Sequence, residues 1–87
     1  MTRAQEFKEV KNIISEYIKY ANCGIFDSRN TACDPMSTIF RGKYFTVDLC
    51  FYYSYFEVFG TTDKEFQRLR KFYGKLIENF GGVNYEK

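Results

Sequence analysis

The stretch from Ser37 to Gly60, STIFRGKYFTVDLCFYYSYFEVFG, constrains this chain most, because it concentrates β-branched and aromatic residues in a period-of-two pattern. Everything before and after it reads as helix or loop. Arg41-Gly42-Lys43 reads as a turn, with Gly42 supplying a positive φ and the flanking charges keeping the tip in water. A first strand then covers about Thr38 to Arg41. From Tyr44 to Phe51 the side chains alternate, with Phe45, Val47, Leu49 and Phe51 toward a core and Tyr44, Thr46, Asp48 and Cys50 away from it. A second reversal near Tyr52, Tyr53 and Ser54 leads into Tyr55 to Phe59, where Phe56 and Val58 alternate with Tyr55, Glu57 and Phe59. The expectation is a three-stranded antiparallel meander with one apolar face and one tyrosine-rich face.

Helical signals flank this core. Thr2 and Gln5 have the spacing of a capping box, and Phe7, Val10, Ile14, Tyr17, Ile18 and Ala21 recur at helical intervals, which predicts an amphipathic helix over about residues 3–21. Asn22 and Gly24 supply its stop. Thr62 and Glu65 form a second capping box, with Asp63 complementing the helix dipole. Phe66, Leu69, Phe72, Tyr73, Leu76, Ile77 and Phe80 then make an apolar stripe over about residues 62–80, and Gly81-Gly82 ends it. Gly74 costs this helix about 1 kcal/mol relative to Ala, which either a close helix contact or simple tolerance explains. Residues 83–87 read as a frayed, flexible tail.

The 87 residues leave no room for a second domain. The predicted fold is α+β: a single domain over residues 1–87, in the order helix, three-stranded meander, helix, with both helices on the apolar face of the sheet.

Residues 23–36, CGIFDSRNTACDPM, form a polar connector. Ile25 to Ser28 reads as a short extra strand at a sheet edge or as a hydrophobic latch. Asp27, Ser28, Arg29, Asn30 and Asp34 are residues that hydrogen-bond their own backbone in turns. The same set suits a ligand. Arg29 offers a planar fork for phosphate or carboxylate, Asn30 can read an amide or base edge, and Asp27 and Asp34 can orient the arginine or take a ribose hydroxyl.

The chain has no histidine and no tryptophan. An imidazole proton shuttle and Ser-His or Cys-His nucleophiles are therefore ruled out. No P-loop or dinucleotide fingerprint is present. Carboxylate pairs such as Asp27 with Asp34, or Asp48 with Glu57, have no distinguishing spacing, so the expectation is a protein that is not an enzyme and needs no cofactor. Cys23, Cys33 and Cys50 are an odd set without a CxxC, which predicts no metal site and suits small apolar thiols in a reducing compartment. No apolar run approaches the roughly 20 residues that span a bilayer, and the N-terminus lacks a signal-peptide core, which predicts a cytoplasmic protein.

Two surfaces are candidates for binding. Tyr44, Asp48, Tyr55 and Glu57, with Thr46, lie on the sheet face away from the helices, and tyrosines beside charges are the composition of a protein interface. The same face would serve a homodimer, and Tyr44, Tyr55 and Phe59 can in principle stack bases. Aromatic residues make up 21% of the chain, enough for both a core and such a face. The second surface is Lys64, Arg68, Lys71 and Lys75, at i, i+4, i+7 and i+11 on one side of the second helix. It reads as solvated surface, or as a contact to a nucleic-acid backbone or an acidic partner. The net charge of +2 does not by itself imply nucleic acid.

Through DSRN, DPM and YFEVFGTTDKEF followed by a helix, about residues 23–73 resemble small uncharacterised proteins of bacteriophages and mobile elements. The resemblance implies a non-enzymatic counter-defence role in a bacterial host cell. Two forms are implied: blocking an immune effector such as a CRISPR nuclease complex, or sequestering a nucleotide immune signal such as a cyclic nucleotide or ADP-ribose derivative.

Overall fold

The computed structural model describes residues 1–20, 24–27, 37–50 and 54–79, and at positions 26 and 27 the backbone alone. Helix α1 spans Arg3–Glu16 and tightens into a 3-10 turn over Ile18–Tyr20. Strands β1 (Gly24–Asp27), β2 (Ser37–Arg41), β3 (Thr46–Cys50) and β4 (Tyr55–Phe59) follow, then helix α2 (Asp63–Asn79). The fold is α+β. Both capping boxes form: the Gln5 amide donates to the Thr2 hydroxyl at 3.1 Å and the Glu65 amide to the Thr62 hydroxyl at 3.2 Å, each reciprocated by the longer side chain. Regular helix α1 ends earlier than its apolar stripe, and the tighter turn after it still buries Ile18.

The meander β2-β3-β4 is antiparallel, but it is not the whole sheet. Strand order is β1-β4-β3-β2, with β1 lying parallel beside β4 and Ile25 opposite Phe56. The Ile25 segment is therefore an edge strand rather than a latch, and it turns β4 from an edge into an interior strand. Val47 pairs with Val58, Leu49 with Phe56 and Phe40 with Val47, so these residues share one face. On that face Phe7, Val10 and Ile14 of α1 and Leu69 and Tyr73 of α2 join them in one buried cluster. Both helices thus roof the same side. Phe7 meets Phe45 at 5.7 Å between ring centres, and Tyr73 meets Phe56 edge-on at 6.3 Å. Burying each such side chain contributes about 1.5–3 kcal/mol, the main stabilising contribution available to so small a domain. Phe51, Phe80 and Ala21 lie outside the described residues.

Two local expectations change. Gly42 is not among the positive-φ residues, so its conformational freedom is not what the β2–β3 turn needs. Gly60 does have a positive φ, +95°, and a Cβ there would press on the Tyr44 carbonyl. Cys50 is fully buried and disulfide-bonded, not a free apolar thiol; Cys23 and Cys33 lie outside the described residues. No helix among the described residues is long and apolar enough to cross a membrane.

Candidate functional site

The first turn of α1 carries two charged residues that the apolar pattern did not single out, and they organise one end of the molecule. Glu6 lies four residues before Val10, inside the buried stripe, and is only 3% exposed. Its carboxylate accepts the amide N–H groups of Lys43 (3.0 Å), Tyr44 (2.8 Å) and Phe45 (2.8 Å). Three successive amides make a concave donor nest of the kind that captures anions, and here the chain fills it with its own side chain. Burial pushes the Glu6 carboxyl up, but the three donors together outweigh it and hold the group below the usual carboxylate range. Gly42 is glycine because a Cβ at this position would overlap that carboxylate.

Arg3 sits beside it. Its Nε and Nη2 donate to the two oxygens of Glu65 at 2.8 and 2.6 Å, and Nη2 also donates to the Gly60 carbonyl at 2.9 Å. The guanidinium carbon lies 4.7 Å from the centre of the Phe45 ring. Hydrogen bonds from Arg3 are the main reason the Glu65 carboxyl is pulled down to about 2, against the opposing effect of burial and with help from the Thr62 amide. The hydrogen bond to Glu65 likewise raises Arg3, with desolvation opposing it. Glu6 and Glu65 are thus held ionised in structural roles, and neither offers a proton at neutral pH.

This corner corrects the placement of Tyr44. Gly42 N–H donates to the Phe45 carbonyl at 2.8 Å, so the turn runs on through Phe45 and strand β3 begins only at Thr46. Tyr44 is half-buried there, its ring flanked by Arg3 (5.6 Å) and Lys43 (5.4 Å), and it packs against the core instead of joining the reverse face. Glu57 is corrected too. At 5% exposure, on a strand interior to the sheet, it is not open surface.

What remains open on the reverse face is smaller and displaced toward β2. Arg41, Thr46 and Phe59 form one row across three strands; Thr38, Asp48 and Glu57 form the next. Thr38, Arg41, Thr46, Asp48 and Phe59 line a recess of about 280 Å³. The Thr38 hydroxyl donates to Asp48 Oδ1 at 2.8 Å, which orients that carboxylate. Tyr55, half-buried, lies beyond them opposite Cys50. Asp48 and Tyr55 are therefore on the expected face, and Thr38, Arg41 and Phe59 join them. The irregular register between Thr38 and Phe40 brought Thr38 into line, which alternation from a regular strand would not foretell. Arg29, Asn30 and Asp34 lie outside the described residues; Asp27 pairs through its backbone with Val58 and its side chain is not described.

The basic stripe of α2 stands as read. Lys64, Arg68, Lys71 and Lys75 are all exposed, as is Arg70. Arg68 rests its guanidinium 4.9 Å from the Phe7 ring centre, and Lys11 of α1 reaches the same ring at 5.6 Å and Phe72 at 5.4 Å. Gln67, Arg68, Arg70 and Lys71 line an open cavity of about 440 Å³. Among the described residues no cluster of three or more metal-capable side chains occurs. No protein-family model, curated protein or solved structure matches the chain.

Proposed function

We propose that this protein is a non-enzymatic counter-defence protein of the phage type that binds a bacterial immune effector, such as a CRISPR nuclease complex, in the host cytoplasm and blocks it. The observation that carries the reading is the recess formed by Thr38, Arg41, Thr46, Asp48 and Phe59 on the face turned away from both helices. An exposed arginine and a half-buried aromatic ring, bordered by hydroxyls and an oriented carboxylate, have the make-up of an interface hot spot with a polar rim. Further support is that Glu6 and Glu65, both drawn into the fold, are occupied in holding it together.

The test is inhibition of purified effector nucleases, read by cleavage assay and by gel filtration of the mixture. The wild-type chain inhibits one of them and co-elutes with it. Arg41→Ala and Phe59→Ala each weaken inhibition by at least about tenfold, the cost of losing a hot-spot side chain, while circular dichroism stays unchanged. No complex and no loss of cleavage across the panel overturns the reading.

A further inference from the structure

Charge on this chain is unevenly distributed in a way that its total hides. Between Phe66 and Ile77 helix α2 carries Arg68, Arg70, Lys71 and Lys75 and no carboxylate, so in a chain of net charge +2 the remainder is net negative. The phase of the helix decides where those cations go. Leu69 and Tyr73 face the core, which turns Lys64, Arg68, Lys71 and Lys75 outward along one line. Among the described residues none of these four, nor Arg70, is ion-paired; the described salt bridge, Arg3 to Glu65, lies at the N-terminal end of α2 and leaves the stripe untouched.

We propose that this face of α2 binds the phosphodiester backbone of a nucleic acid, a site separate from the sheet recess. Three features favour that occupant over an acidic protein. First, the exposed positions of α2 are Asp63, Lys64, Gln67, Arg68, Arg70, Lys71, Gly74, Lys75, Glu78 and Asn79, without one apolar side chain. A protein interface needs an apolar or aromatic centre, whereas a nucleic-acid interface is polar and strongly positive. Second, the spacing suits a repeating charge. At 1.5 Å per residue the stripe from Lys64 to Lys75 is roughly 16 Å long, the length over which one strand of a duplex presents about five phosphates. Third, the cavity bounded by Gln67, Arg68, Arg70 and Lys71 is a concave, cationic stretch of that stripe, and Arg68 is steadied in it by the Phe7 ring.

Fluorescence anisotropy of a labelled 20-nucleotide single strand and of a 20-base-pair duplex, titrated with the full chain from 50 to 300 mM salt, tests the proposal. Expected is binding of at least one of the two with a log–log salt slope of about −3 to −4, four phosphates neutralised. In the combined variant Lys64→Gln, Lys71→Gln, Lys75→Gln, which leaves Arg68 on Phe7, the slope shrinks by about 3, one per lost contact. Absence of binding to both overturns the proposal. So does a salt slope that the triple variant leaves unchanged, and so does a 20-residue polyglutamate that competes as well as the oligonucleotide, since the face would then read charge alone. The Arg41→Ala and Phe59→Ala variants retain this binding in full, which keeps its outcome independent of the effector assay.

Discussion

Replacing Gly42 with alanine tests the physical account of the corner where α1 meets the sheet. An ideal Cβ on Gly42 falls within contact distance of both oxygens and the carboxyl carbon of Glu6. Glu6 cannot simply swing away, because its Oε2 is held at 2.8 Å by the amides of Tyr44 and Phe45, and the Phe45 amide is buried. The chain must either overpack the turn or leave that amide without an acceptor. Gly42→Ala therefore destabilises by about 2 kcal/mol, the middle of the range for inserting a methyl group into a filled site. In a domain of this size that lowers the melting temperature by roughly 8–15 °C.

The decisive measurement is a double-mutant cycle read by urea denaturation at pH 7, with Gly42→Ala, Glu6→Ala and the two combined. With Glu6 shortened to alanine the obstruction is gone, so adding Gly42→Ala to that background costs less than about 0.5 kcal/mol, the limit within which independent sites add. If the turn instead required a positive φ at position 42, alanine would cost about 1 kcal/mol in either background, as a conformational penalty that ignores Glu6. Equal costs in the two backgrounds refute the close-approach account.

Three other outcomes follow from the same geometry. The Glu65 carboxyl sits at about 2 in the folded protein against an ordinary value of 4.5, so its contribution is present above pH 4.5 and is lost as pH falls toward 2. Because Arg3 is 39% exposed and water screens the pair, that contribution is about 1 kcal/mol. Urea midpoints measured from pH 5 to pH 2 should therefore fall less steeply for Glu65→Gln than for the wild type, and parallel curves refute it. Gly74 has nothing within 4 Å of where its Cβ would stand, so Gly74→Ala stabilises α2 by about 1 kcal/mol; a lowered melting temperature would mean that the glycine is needed for a contact. Reducing the Cys50 disulfide costs about 3 kcal/mol, the usual contribution of a native cross-link, and an unchanged thermal melt in reductant contradicts that.

What the sequence made legible follows the range over which each cause acts. The helix caps need residues only three positions apart, and the meander rests on alternation within each strand, so Val47, Leu49, Phe56 and Val58 could be assigned to the core from their order alone. Pairing of β1 with β4 joins residues such as Gly24 and Tyr55 that are far apart in sequence, and no periodicity within four residues selects a parallel partner. The extra edge strand itself was legible at Ile25, but not its partner β4, which it makes an interior strand, nor the burial of Glu57 on that strand. Tyr44 was misplaced for a related reason: alternation was extended two residues past the true start of β3, into a turn whose amides are drawn to Glu6 across the chain.

The two binding surfaces inherit this difference. The sheet recess exists only where β2, β3 and β4 are in register, so its membership depends on a bulge at Thr38 and on which strands flank which. The α2 stripe depends on the phase of one helix, which Leu69 and Tyr73 set by entering the core. The recess can therefore be altered at its own exposed or half-buried residues, Arg41 and Phe59, while the cationic line stays intact. Loss of effector binding with nucleic-acid binding retained in Arg41→Ala, and the reverse in the Lys64→Gln, Lys71→Gln, Lys75→Gln variant, would separate the two surfaces in function as well as in position.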